Sequence, residues 1–212
     1  MIFEKVGNIP VISVKMMRES DEYTIENFTD SKTLMKRAAL GIYNSCSWTG
    51  NIAIVTGSGN NGGDGYALAG ILSQNGIEAD IIRLSERFSD DGRYYFDLAV
   101  KAGVSQMLYD ESMNFDNYDI IVDCIFGTGF AGEPRGVCAS AIRKINSCGA
   151  FVVSADINSG LNGDTGEVLL AVKSDLTVSI GYYKTGMFKN KGIDLIGKLV
   201  NADIGIILKQ EE

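Results

Sequence analysis

The 212-residue chain contains no histidine. Proton transfer near neutral pH therefore falls to carboxylates, lysines, cysteines, tyrosines or a water that they orient, and histidine-based triads and histidine-ligated zinc are excluded. The four cysteines, Cys46, Cys124, Cys138 and Cys148, form no CxxC pair, so neither a zinc ribbon nor a dithiol redox motif is written here. Only two prolines occur, and no linker-like or low-complexity tract divides the chain, so one domain over residues 1–212 is expected. No apolar run approaches the roughly 20 residues of a membrane span. The opening MIFEKVGNIPVISV lacks the cationic segment, apolar stretch and cleavage site of a secretory signal, which predicts a cytoplasmic protein with no membrane partner. Basic side chains are outnumbered, 19 Lys and Arg against 27 Asp and Glu, and the net charge of −8 disfavours nucleic acid as a partner. A small anionic ligand stays compatible with that charge if backbone N–H groups receive it.

What the chain does have is alternation. Residues 13–28 (SVKMMRESDEYTIENF) and 31–46 (SKTLMKRAALGIYNSC) carry apolar residues at helical spacing. The continuous β-branched run NIAIV (51–55) predicts a buried strand, followed by a glycine-rich loop and a helix, DGYALAGILSQNG (64–76), with Asp64 as its N-cap. Strands are predicted again at 78–84, 118–126, 150–156, 175–181 and 198–206, with helices at 89–103 and 136–149. The expected fold is α/β: a three-layer αβα sandwich with a Rossmann-like, mainly parallel sheet and two preceding N-terminal helices.

The loop TGSGNNGGDG (56–65) satisfies G-x-G-x-x-G after a strand, a weak dinucleotide-binding signal on its own. In that motif the helix begins within the glycine triplet, whereas Gly63 and Asp64 are read here as prolonging the loop, so an ordinary NAD site fits poorly. A P-loop is excluded because, counted from Gly57 and Gly62, Gly63 stands where the phosphate-binding lysine belongs and Asp64, a carboxylate, where the Ser or Thr belongs. Peptide N–H groups and the Asn60 and Asn61 amides are left facing a ligand at the carboxyl edge of the sheet.

Two further strands run into the same design, an aspartate followed by a glycine-rich loop: VDCIFGTGFAGEPRG (122–136) and SADINSGLNGDTGEV (154–168). In a parallel sheet these loops meet at one edge, making Asn61, Asp123, Asp156 and Ser159 neighbours. One carboxylate with amide, hydroxyl and carbonyl oxygens suits a hard cation of low charge such as potassium better than calcium.

NNGGDG, VDCIFGTG and ADINSGLNGDTG, with MRESDEYTI before the sheet and TGMFKNKGIDLIGKLVNADIGI after it, resemble the YjeF N-terminal domain family, the NAD(P)HX epimerases. The resemblance implies a substrate that is NADH or NADPH hydrated at C6 of the nicotinamide, and interconversion of its R and S epimers. An ADP- or ATP-dependent dehydratase, fused to this domain in some members, then repairs the S form. Carried over by position, Asn60, Asn61, Gly62, Gly63, Asp64, the loop Gly127, Thr128, Gly129, Phe130, Ala131, Gly132 and Glu133, and Asp156 contact the substrate. Asn61, Asp123 and Ser159 hold one potassium ion per subunit, and a homodimer through the N-terminal helices is implied. Asp156 is the expected catalytic acid/base, and either loss and return of water or ring opening is compatible with it. Arg83, Arg87 and Lys184 are candidates for meeting a 2′-phosphate. Two positions depart from the family pattern: Lys36 replaces a frequent glutamate and Asn158 a frequent proline. The rival reading is a catalytically inactive scaffold of the same fold, with an NAD(P) oxidoreductase third.

Overall fold

A computed structural model describes residues 4–210; the remaining residues of the expected 1–212 domain lie outside the described ones. The elements in chain order are β1 (Glu4–Val6), β2 (Ile9–Ile12), α1 (Val14–Asn27), α2 (Ser31–Ser45), β3 (Ile52–Thr56), α3 (Asn60–Gln74), β4 (Asp80–Arg83) and α4 (Asp90–Lys101). They continue with β5 (Ser105–Leu108), β6 (Ile120–Cys124), α5 (Gly136–Ser147), β7 (Phe151–Ala155), β8 (Leu176–Ile180), β9 (Tyr183–Lys184), a 3-10 turn (Thr185–Phe188), α6 (Gly192–Leu195) and β10 (Lys198–Ala202). No helix among the described residues is long and apolar enough to cross a membrane.

Seven strands form one all-parallel sheet in the order β10-β8-β7-β6-β3-β4-β5. The period-two geometry of a strand sends its side chains alternately to the two faces. Ile52 and Ile54 of β3 pack with α1 to α4, while Ala53 and Val55 pack with α5 on the other side. Helices therefore cover both faces, which is why NIAIV is apolar throughout rather than alternating. Each fully buried Ile or Val of this layer stabilises the fold by about 1.5–3 kcal/mol relative to exposure. A second, small sheet joins β1, β2 and β9, with β2 and β9 parallel.

The sheet grows outward from β3 through β4 to β5, then resumes on the other side of β3 with β6. This reversal puts a topological switch point between β3 and β6, where open α/β sheets form their ligand crevice. The predicted strands are all present with trimmed ends. β5 and the small sheet were not predicted, because segments of two to four residues are too short to carry a sustained apolar pattern.

The start of α3 corrects the sequence reading. The helix begins at Asn60 with Gly59 as N-cap, so Asp64 lies inside it and caps nothing. Glycines make the early start possible: a Cβ on Gly62 would stand 2.3 Å from the Gly57 carbonyl oxygen, and one on Gly63 2.5 Å from the Met35 methyl. The helix thus does open within the glycine triplet Gly57, Gly59, Gly62, and the objection to a dinucleotide loop drawn from loop length falls away.

Candidate active site

A cleft of about 540 Å3 runs between α1 and α2 on one side and the carboxyl ends of β3, β6 and β7 on the other. The N-caps fix the wall formed by the two helices: Ser13 accepts from the Met16 N–H at 3.1 Å and Asp30 from the Thr33 N–H at 2.9 Å. Opposite lie Ser58 to Asn61 at the start of α3 and the turn Gly127 to Phe130 after β6. The first backbone bond into α3 runs from Gly63 N–H to the Gly59 carbonyl, leaving the N–H groups before it free of helical partners and facing an anion-favouring helix end. The Phe126 and Phe130 rings, stacked with centroids 4.1 Å apart, both line the same space and offer an aromatic face to a planar ring.

Four carboxyls line the cleft, Asp21 from α1, Asp64 from α3, Asp91 from α4 and Asp156 after β7, and three of them sit in contrasting settings. Asp64 is buried, has no hydrogen-bonding partner among the described residues, and its pKa is pushed well above the usual carboxylate range, first by desolvation and then by the charges of Asp156 and Asp21. Asp21 is raised as well, again chiefly by burial. Asp156 instead has a full countercharge: Lys184, completely buried, donates to its Oδ1, while Oδ2 accepts the Thr128 N–H at 3.2 Å. Asp156 also has a φ of +66°, and the Ile157 N–H bonds the Ala155 carbonyl at 2.8 Å. These features make Asp156 the centre of a γ-turn of the rare, strained type. Such a backbone costs on the order of 1–3 kcal/mol and persists only where its surroundings enforce it.

Beneath this surface, Asp123 is fully buried at the end of β6. Its Oδ1 accepts from Ile125 N–H (3.2 Å) and Ser159 Oγ (2.5 Å), and its Oδ2 from Ser154 Oγ (2.9 Å) and Ser159 N–H (2.9 Å). Burial raises its pKa, and these bonds oppose the rise. Asn61 donates through Nδ2 to the Phe126 carbonyl at 3.0 Å, and its Oδ1 is buried without any partner. That orphaned oxygen matters because buried polar atoms are almost always satisfied. With the Phe126 carbonyl and Ser159 Oγ it makes a neutral oxygen set backed by one carboxylate, which fits a monovalent cation. No group of three or more acidic, cysteine or histidine side chains suited to a metal occurs among the described residues.

The fold therefore brings Asn60, Asn61, Asp64, Gly127, Thr128, Gly129, Phe130 and Asp156 to one cleft, with Asp123 and Ser159 directly behind it. Gly62 and Gly63 are buried and serve helix packing, while Ala131, Gly132 and Glu133 are exposed and lie off the cleft lining. Lys184 is enclosed against Asp156 and is not free to meet a 2′-phosphate. Arg83 lies over the Phe88 and Phe96 rings and bonds Gln106. Sequence reasoning missed Asp21, Arg18, Phe126 and the pairing of Lys184. The Arg18–Asp21 spacing of three residues on a capped amphipathic helix was the available signal that both share a face. The two departures are accommodated: Lys36 is exposed on α2. Asn158 is fully buried and bonds Val172 O, Leu195 O, Ser174 Oγ and Thr177 Oγ1, tying the start of the β7–β8 connection to its own end, to β8 and to α6 where a proline could not.

Comparison with known proteins points the same way. A family model described as "YjeF-related protein N-terminus" matches residues 31–186. The NAD(P)H-hydrate epimerase of Weissella koreensis is 30% identical over 203 residues, covering 92% of this chain and 91% of the relative. The bifunctional NAD(P)H-hydrate repair enzyme Nnr of Thermofilum pendens is 36% identical over 156 residues, 69% of this chain and 30% of that protein. A crystallised yeast protein superposes with a TM-score of 0.73 at 21% identity, covering 90% of this chain and 86% of its own, and shares the fold.

Proposed function

Because the chain belongs to the YjeF-related N-terminal family, we propose that it is an NAD(P)H-hydrate epimerase, an isomerase of damaged nicotinamide dinucleotides. The observation that carries this reading is the convergence on one cleft of an uncapped helix start, a glycine turn and two carboxyls, Asp64 and Asp156, held in opposite electrostatic settings. The first two suit a pyrophosphate and ribose, and the carboxyls suit proton transfer at the hydrated carbon.

In this account the substrate is NADHX or NADPHX and the reaction interconverts its R and S epimers. Asp156 moves the proton at the C6 hydroxyl, and Asp64, whose pKa burial raises, stands one helical turn into α3. Potassium would be held by Asn61, Asp123 and Ser159, with the Phe126 carbonyl among them, and would supply positive charge to an anionic substrate. The S epimer would pass to an ADP- or ATP-dependent dehydratase, an activity joined to this domain in a longer chain or supplied by a separate protein. Residues 1–212 act in this reading as one epimerase domain in the cytoplasm, paired with a second copy through α1 and α2; Phe28 and Leu40 leave apolar surface exposed at those helices. Incubating the isolated R epimer, and separately the S epimer, with the purified protein tests it. Both samples should reach the same mixture on chromatography, and no change in either would reject the assignment.

A further inference from the structure

We propose that Lys184 is a positioning residue for this reaction, holding Asp156 so that only Oδ2 faces the reacting carbon. The inference rests on the epimerase reading and adds a residue to it.

The geometry leaves Lys184 little else to do. Its ammonium has three protons and three acceptors: Asp156 Oδ1, Ser179 Oγ at 3.2 Å and the Ile180 carbonyl at 2.8 Å. Ser179 gives its own hydroxyl proton to the Tyr182 carbonyl at 2.9 Å, so it can only accept from Lys184. The ammonium is saturated, its orientation is fixed, and no proton remains for a ligand. With the side chain wholly buried, direct contact with substrate or attack on it as an amine is excluded.

A fully buried lysine is expensive to desolvate, and apolar residues of similar size often replace buried ion pairs without loss of stability. Packing alone is therefore a poor account of the charge. Asp156 supplies the better one. Its backbone is strained at φ +66°, its Oδ1 is held by Lys184, and its Oδ2 is left beside the Thr128 N–H and the bare Cα of Gly127, where an added Cβ would stand 3.1 Å away. The lysine enters from β9 of the small sheet, anchored by pairing of Ile12 with Lys184 and by the Thr185 hydroxyl on the Ile12 carbonyl at 3.0 Å. The second sheet thus braces the carboxylate at the end of β7 from below.

The test compares parent, Lys184→Met and Lys184→Arg for thermal midpoint, kcat and KM in conversion of the R epimer. Lys184→Met should lower kcat at least tenfold while KM stays within about threefold, and Lys184→Arg should recover most of the loss. A folded Lys184→Met protein with kcat within twofold of the parent, or a loss confined to KM, would overturn the proposal. Should Lys184→Met not fold, Asp156→Asn with and without Lys184→Met, which leaves no lone buried charge, decides the matter. Equal residual rates mean that Lys184 acts through Asp156, and a slower double variant means that it does not. A parent that leaves both epimers unchanged would instead reject the epimerase reading itself.

Discussion

Ser159 grips Asp123 from two directions, its hydroxyl on Oδ1 at 2.5 Å and its backbone N–H on Oδ2 at 2.9 Å. The same hydroxyl accepts the Phe126 N–H at 2.8 Å, so one side chain joins the loops after β6 and β7. Ser159→Ala removes a charge-assisted bond and leaves the Phe126 N–H without this acceptor. The expected cost is about 1.5–3 kcal/mol, read as a lower urea midpoint with an unchanged m-value.

The unpartnered Oδ1 of Asn61 makes the cation proposal measurable without any activity assay. At equal ionic strength, the thermal midpoint should be higher in potassium chloride than in choline chloride, since an ion that binds only the folded state stabilises it. Asn61→Ala should abolish the difference. Equal midpoints for the parent in the two salts would remove potassium from the account.

Asp64 should imprint itself on stability against pH. Its folded-state pKa lies above its ordinary 3.8, so between the two values the folded form binds the proton and the unfolded chain does not. Its contribution is complete below that ordinary value and is lost as pH rises through the folded value. Asp64→Asn should therefore raise the thermal midpoint relative to the parent more at pH 8 than at pH 4. Asp21 and Asp123, raised for the same leading reason, retain part of the slope in the variant.

How far the sequence revealed this site depended on what each residue interacts with. NIAIV and the aspartate-glycine strand ends were legible because continuous apolar runs and glycine clusters are local signals, and the parallel sheet then obliges their loops to meet. The true start of α3 was not legible, because glycines at 62 and 63 weaken helix propensity and are tolerated only for the close packing against Gly57 and Met35. Nor was Lys184: its partner lies 28 residues away in sequence, and a lone lysine beside a short strand carries no pattern.

Gly57 and Gly129 should separate packing from binding. A Cβ on Gly57 would stand 2.0 Å from the Ile125 carbonyl oxygen, a backbone atom at the switch point, whereas one on Gly129 meets nothing within 4 Å. Gly57→Ala should destabilise the fold by about 1–3 kcal/mol or more. Gly129→Ala should keep stability within about 0.5 kcal/mol and weaken dinucleotide affinity, since Gly129 lines the cleft. Isothermal titration beside a denaturant melt reads both effects.

The most direct test of the central claim is the initial rate of R-to-S conversion by the parent and by Asp156→Asn, with dinucleotide affinity measured for both. The parent should convert the R epimer and the variant should lose at least about 100-fold, within the usual contribution of a positioned acid/base, while affinity changes by only a few-fold. A parent that binds the dinucleotide without converting it, or an Asp156→Asn protein as fast as the parent, would contradict that claim.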